Sequence, residues 1–352
     1  MTNAHFDAVV IGGGAAGLSA AQALGRSLRR TLVIDAGEPR NRFAARMHNV
    51  LGLDGVPPLE LLARGRAEAA AYGVETVPGE VLAVTEIRVA GGDDAAGGDD
   101  SDRGLVVEFR RHGPEVSGAV PGEVPGAERG DGANGETVTV TTSALVIASG
   151  VRDTLPDVPG LADHWGRTVL HCPYCHGWEV RASRLAVLAT GPISLHQATL
   201  IRQWSERFTV FTAGLGELEP DAERELRARG TRIVSEPVTE VLGDDTGVTG
   251  VRTADGSEHA VDAIFTMGAL TPHDGFVAGL ELDRTETPFG SFLAVDPTGR
   301  TSHPRVWAVG NVTNPMATVP IAMGAGVQAG GAVNFALVEA DVAAALRAED
   351  AA

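Results

Sequence analysis

An α/β fold with two nucleotide-binding domains is predicted by three observations. Residues 6–11 are a short, β-branched apolar run that passes at once into Gly12-Gly13-Gly14-Ala15-Ala16-Gly17 and then into a helix-like segment, 18–28. The same β–turn–α–β order returns at 184–188, 189–194, 195–204 and 208–211. Between the two units, His171-Cys172-Pro173-Tyr174-Cys175-His176-Gly177 holds both cysteines of the 352-residue chain. That length is comfortable for two Rossmann-like domains, and a composition that is 43% hydrophobic, with 45 Gly and 19 Pro, suits a large core and many turns.

The net charge of −18 argues against nucleic acid and against anionic membrane surfaces. No run of eighteen apolar residues occurs, so no membrane-spanning helix is expected. The first seven residues lack a basic segment ahead of an apolar one, and 6–11 reads as a strand, not a signal peptide. Two cysteines confined to one CxxC are not a secreted disulfide framework, which points to a reducing cytoplasm.

Taken in order, 6–11 is a buried parallel strand. Gly12, Gly14 and Gly17 form G-x-G-x-x-G in strand–turn–helix context. Glycines there permit a tight turn, close approach to a pyrophosphate and tight helix packing, and the helix start at Ala15 and Ala16 offers amides to phosphate. A second strand, 31–34, ends in Asp35 and Ala36, and an acid eighteen residues past Gly17 suits a ribose hydroxyl. Residues 40–49 form a polar loop along the nucleotide, 58–72 a helix and 76–89 strand-like segments. Strands 105–110 and 137–142 alternate with Gly- and acid-rich tracts at 91–103 and 113–135, which read as solvated insertions in a small β-meander.

Residues 144–150 are another buried strand ending in a small-residue turn. In the second β–turn–α–β unit the turn is poor. Its first Gly position is Ala189, its third is Ser194, and Pro192 follows Gly191. The next strand ends in Thr212-Ala213-Gly214, with neither an acid for ribose nor a basic cluster for a 2′-phosphate. Residues 260–267 and 304–311 read as further strands, and 323–345 as an Ala/Gly-rich helix whose Gly324, Gly326, Gly330 and Gly331 allow close approach to a cofactor.

A CxxC closes a small disulfide ring that accepts two electrons. A zinc site would need a second Cys pair, which is missing, and would have to recruit His171, His176 or remote groups, so no metal is expected. Imidazoles on both sides of the thiols suit redox chemistry, because they lower a thiol pKa or carry its proton. Of the two, His176 is favoured as the base and His171 is ranked lower. Tyr174 and Trp178 are read as packing in preference to walls of a substrate site.

Together GGGAAG, LVIASG at 145–150, CPYCHG and VWAVGNV at 306–312 resemble the low-molecular-weight thioredoxin reductases, FAD-dependent pyridine nucleotide-disulfide oxidoreductases. The resemblance spans nearly the whole chain. It implies an FAD domain at 1–155 and 272–352, discontinuous in sequence, with an NAD(P)-type domain carrying the CxxC inserted at 156–271. It also implies a homodimer. By position, FAD would be held by Gly12, Gly14, Ala15, Ala16, Gly17, Asp35 and Ala36, and by Asn49, Val81, Ala148 and Gly150. Gly310, Asn311, Thr318 and Val319 complete the implied set, with Asn311 standing where the family usually has Asp.

Three departures matter: His176 where the reductases carry an acid, a degraded NADPH turn, and 315–320 (PMATVP) in place of the usual Arg-Gln pair. With C-P-x-C-H-G, they resemble the dithiol oxidases that close disulfides in holomycin- and gliotoxin-type natural products. That resemblance implies Cys172, Cys175 and His176 as catalytic residues. It implies a small-molecule dithiol as substrate, and electrons passing through the cysteines and FAD to O2 without NADPH. The alternative is a thioredoxin reductase-like enzyme that reduces a thioredoxin-like protein with NADPH or another donor.

Overall fold

The computed structural model describes residues 4–88, 103–112 and 135–351. The acidic insertions expected at 91–103 and 113–135 lie outside these, apart from their last residues. The chain forms two compact units. One comprises Met1–Pro39, Leu59–Arg152 and Pro272–Ala352, and the other Arg40–Pro58 and Asp153–Thr271. Residues 40–58, expected with the first domain, thus group with the second. The cause is local: Arg40 pairs with Asp153 at 2.6 Å, and Asn49 donates to the Tyr174 carbonyl at 2.8 Å.

In the first unit, β1 (His5–Ile11) lies parallel between β2 (Thr31–Asp35) and the end of β5 (Thr137–Ile147). Helix α1 (Ala15–Arg26) connects β1 to β2, and α2 (Pro58–Ala70) precedes β3 (Glu75–Arg88). The start of β3 extends the parallel sheet beside β2. Both β3 and β5 run beyond that sheet and pair antiparallel with β4 (Arg103–Arg111), which makes the meander. Alternation sends Val9, Ile11, Ile34 and Ile147 to one buried face and Ala8, Val10, Val33 and Val146 to the other. A parallel strand covered on both sides must be apolar at every position, which is why 6–11 reads as a continuous run.

In the second unit, β6 (Val169–Leu170) leads into the short helix α3 (Pro173–His176). Next come β7 (Leu185–Leu188), α4 (Ser194–Ile201), β8 (Phe208–Phe211), α5 (Pro220–Ala228) and β9 (Arg232–Val234). A three-stranded antiparallel sheet of β10 (Val238–Asp244), β11 (Gly247–Thr253) and β12 (Glu258–Ala260) precedes β13 (Ala263–Thr266). The main sheet is fully parallel, in the order β9-β8-β7-β13-β6. Its position beside β6 puts the CxxC at the carboxyl end of a strand.

The chain returns to the first unit with β14 (Val306–Ala308), parallel to β5, and ends in α6 (Val319–Asp350). Helix α6 starts earlier than the sequence predicts, because Pro320 occupies a first-turn position where no amide is needed. A Cβ on Gly326 would meet the Ala16 carbonyl oxygen of α1, and one on Gly330 would come within 2.8 Å of the Ala20 carbonyl and the Ala23 methyl. These two glycines therefore serve helix–helix contact; Gly324 and Gly331 have open space instead.

Length and composition alone would allow α6 to cross a membrane. It contains no unbroken apolar run of that length, because Gln328 and Asn334 interrupt it. One face of α6, with Gly326, Ala329, Gly330, Val333 and Leu337, is buried, whereas Ile321, Val327, Phe335, Val338, Val342 and Leu346 are exposed.

Gly326→Ala forces the α1 and α6 backbones apart and is expected to lower stability by about 1–3 kcal/mol. Gly324→Ala, with no heavy atom within 4 Å of the new methyl, is expected to leave stability unchanged or raise it by up to about 1 kcal/mol. Urea unfolding midpoints of the two variants check the contrast.

Candidate active site

Cys172 and Cys175 are joined as a disulfide in the second unit. Cys172 caps α3 in extended conformation, and Pro173 opens the helix where its fixed φ suits the first turn. The turn closes through the Cys175 and His176 amides, both donating to the Cys172 carbonyl at 3.2 Å. Gly177 ends it because no larger residue fits: a Cβ there would lie 2.5 Å from the Pro173 oxygen and 2.8 Å from the Trp204 ring. Gln197 donates to the His171 carbonyl at 2.8 Å and fixes the entry to the turn.

The rings of Tyr174 and Trp178 are 64% and 66% exposed. Packing, the reading favoured from sequence, does not describe them. Tyr174 meets Trp204 only edge-on, at 5.7 Å, and Trp178 carries the Arg181 guanidinium over its ring at 3.9 Å. Both leave apolar surface beside the disulfide.

The two flanking histidines differ. His171 is pushed down to about 4, first by burial, then by the Arg40 guanidinium, with the Asp153 carboxylate opposing. Its Nε2 is sealed from solvent and has no hydrogen-bond partner among the described residues. His176 is partly buried and also lowered; burial dominates, Glu179 opposes it and His48 adds to it. Both shifts favour the uncharged imidazole, the form whose lone pair can take a proton, and of the two His176 is the less buried.

Residues 48–54 reach this turn. Asn49, in left-handed conformation at φ 64°, donates from Nδ2 to the Tyr174 carbonyl at 2.8 Å, and its amide donates to Asp54 at 3.1 Å. Asn49, which the resemblance implies at the flavin, is thus bonded to the CxxC turn. His48 stands between Asp54 and Glu179, 3.3 Å from each.

In the first unit the glycine turn is filled by backbone. A Cβ on Gly12 would meet the Ala148 carbonyl, and one on Gly17 the Gly12 carbonyl. Gly14 caps α1 without any side-chain bond, and a methyl added to it would have no heavy atom within 4 Å. Ala15 and Ala16 begin the helix, and Gly310, at φ 77°, approaches Ala16 so closely that a Cβ would sit 3.0 Å from its methyl. Asp35 accepts from the Gly13 amide at 3.1 Å and the Gly37 amide at 3.2 Å, with Arg66 at 3.9 Å from its other oxygen; Ala36 beside it is exposed. Gly150 adopts φ 72° with open space around it, and Val81 lies at the bulge of β3 against the core.

Asn311 uses its side-chain amide inside the protein. It donates to the carbonyls of Asn314, Pro315 and Ala317 at 3.0, 3.3 and 3.1 Å. This ties down the loop that delivers Thr318, the residue capping α6, and Val319, its first residue. An aspartate has no donor for these bonds, which accounts for Asn at a position where the reductases carry acid.

The turn of the second unit is closed on itself. The Thr190 amide donates to Ser194 Oγ at 3.1 Å, and Thr190 Oγ1 donates to the Met267 carbonyl at 2.6 Å. Ser194 is fully buried. A Cβ on Gly214, at the end of the neighbouring strand, would meet the Ala189 carbonyl.

A match to the family described as pyridine nucleotide-disulphide oxidoreductase covers residues 6–326. The chain belongs to this family. It is 32% identical to thioredoxin reductase sirT of Leptosphaeria maculans, over 96% of each protein. It is 30% identical to thioredoxin reductase tcpT of Claviceps purpurea, over 94% of this chain and 93% of the relative. The solved structure of HlmI is 38% identical, with a TM-score of 0.83 over 98% of this chain and 96% of HlmI. The protein is a thioredoxin reductase-like flavoenzyme, a thiol–disulfide oxidoreductase with FAD as cofactor. The first unit fits that cofactor: the start of α1 is uncapped, the Gly14 side is open, and Ser149 Oγ is buried with no partner among the described residues.

Several residues that build this flavoenzyme's sites escape sequence reasoning. Gly13, the middle glycine left out of the motif, presses on the Asp35 carboxylate, where a Cβ would lie 2.5 Å away. Arg66 and Ser149 carry no pattern of their own. His48 and Glu179 are 131 positions apart in the chain, and only the fold makes them neighbours.

Between pH 6.5 and about 4 the unfolded chain binds a proton at His171 that the folded chain refuses, so acid favours unfolding across that window. The holoprotein is expected to lose about 2 kcal/mol through this group between pH 7 and pH 5. His171→Leu should flatten the dependence by a similar amount. Urea titrations at the two pH values measure it.

Proposed function

We propose that this flavoenzyme oxidises a small-molecule dithiol to its disulfide through Cys172 and Cys175, with O2 as the final electron acceptor. The observation that carries the reading is the Thr190–Ser194 bond at 3.1 Å. In a dinucleotide-binding turn that amide faces the pyrophosphate; here it already has a buried partner. With Ala189 in place of the first glycine and no charged group at Thr212-Ala213-Gly214, the second unit offers little to NADPH, so a thiol substrate is the better electron source.

His176 takes the proton of a substrate thiol on a ring nitrogen. The thiolate attacks Cys172 Sγ and the Cys172–Cys175 bond breaks, leaving a mixed disulfide and the Cys175 thiolate. The second substrate sulfur, deprotonated in turn, attacks the first, which closes the product disulfide and releases Cys172. The substrate loses two electrons and two protons, and the cysteine pair gains the electrons. FAD, when bound, supplies the acceptor that takes this pair and yields it to O2, giving hydrogen peroxide. Tyr174 and Trp178 wall the approach to Cys172 with apolar surface.

In this reading FAD is held by Gly12, Gly14, Ala15, Ala16 and Gly17 at its phosphates and by Asp35 and Ala36 at its ribose. Val81, Ala148, Gly150, Gly310, Asn311, Thr318 and Val319 supply the remaining contacts. Asn49 acts on the disulfide turn. The enzyme is cytoplasmic, as a chain with cysteines only in a CxxC suggests. It works as a homodimer, which the exposed apolar stripe of α6 supports.

A second reading, reduction of a thioredoxin-like protein, is favoured by the retained β–α–β order of the second unit and by Gly191. Anaerobic mixing separates the two. A small dithiol should bleach the flavin within the time of turnover, and NADPH and NADH should not; rapid bleaching by NADPH restores the reductase. Cys172→Ser should end dithiol turnover with FAD still bound, and His176→Ala should slow dithiol-driven bleaching roughly 10²–10⁴-fold.

The dimer has its own test. Phe335→Glu, on the exposed stripe, should convert a dimer to monomers in light scattering without loss of flavin.

A further inference from the structure

We propose that His48 is a positioning residue for His176: held between Asp54 and Glu179, it fixes the Glu179 carboxylate beside the imidazole that handles the thiol proton. The proposal rests on the role given to His176 above.

The geometry is a chain of contacts from Asp54 through His48 to Glu179. Asp54 approaches His48 Nδ1 at 3.3 Å, and Glu179 approaches Nε2 at 3.3 Å. His48 thus has one carboxylate at each ring nitrogen, which ties the two acids to one side chain. His48 is the sheltered member at 18% exposure, against 69% for Asp54 and 41% for Glu179. An exposed glutamate alone would sample several rotamers, at an entropic cost to any single position. Pairing with a sheltered partner reduces that freedom. Asp54 also accepts from the Asn49 amide at 3.1 Å, and Asn49 grips the Tyr174 carbonyl at 2.8 Å. Two consecutive residues thus secure both the turn that carries the disulfide and the carboxylate next to its base.

The consequence is electrostatic. Burial weakens His176 as a base, Glu179 strengthens it, and His48 by its own charge weakens it by less than Glu179 gains. The Arg40–Asp153 pair acts on His171. If His48 were only a nearby cation, its removal would raise the His176 pKa. If it positions Glu179, its removal loses the larger, strengthening effect and the pKa falls.

The sign is therefore the test. His176 is followed by heteronuclear NMR across pH in the FAD-loaded wild type, His48→Gln, Glu179→Gln and the double variant, with His176→Gln identifying the resonance. The midpoint is expected to move to lower pH in both single variants, with no further fall in the double. A midpoint that rises or stays put in His48→Gln overturns the proposal. Asp54→Asn, at an exposed position, should move it the same way by less. The measurement needs no turnover, so it stands apart from whether a dithiol or NADPH supplies the electrons. A flavin that fails to bleach with dithiols would remove the function and leave the positioning result intact.

Discussion

Close approach of backbone to backbone around α1 is the constraint on which the first unit depends. Gly12 and Gly17 bring the first strand, its turn and the helix into contact, and Gly326 and Gly330 bring α6 onto the same helix. With both ends of the chain packed on α1, the amides at its start and the turn at Gly310 belong to one rigid cradle. The cost of a methyl at these points is high because the obstructing atoms are carbonyl oxygens, which cannot rotate away as a side chain can. Small residues here are a condition for the cofactor cradle to exist.

A different economy governs the second unit. Its nucleotide-type sheet is intact, with five parallel strands and a helix at the turn. At the turn, the Thr190 amide is bonded to Ser194 Oγ and the Thr190 hydroxyl to the Met267 carbonyl. What the unit presents instead is a disulfide on a four-residue helix, flanked by imidazoles kept neutral mainly by burial. A sheet of the dinucleotide-binding type thus carries the disulfide at the end of one of its strands.

Much of this was legible in the sequence, and the reason is locality. The G-x-G-x-x-G turn, Asp35, the CxxC and the poor second turn are each written within a few consecutive residues whose geometry follows from chain sterics. What was not legible depends on contacts across long separations. Asn49 meets Tyr174 over 125 positions, and nothing near residue 49 announces it. The grouping of 40–58 with the second unit follows from that contact and from Arg40–Asp153. The exposure of Tyr174 and Trp178 is illegible for a related reason: an aromatic ring is buried or not according to what the rest of the chain puts over it. Gly-rich spacing in α6 shows that something comes close without saying what, and for Gly326 and Gly330 it is α1.

The Asn311 amide links two departures from the reductase pattern that look separate in the sequence. Two of its three donated bonds, to Pro315 and Ala317, go to the segment that replaces the Arg-Gln pair, and the third goes to Asn314 just before it. An acid at 311 would set a negative charge against three carbonyl oxygens and leave all three without that donor, so the residue at 311 and the path of the loop into α6 change only together.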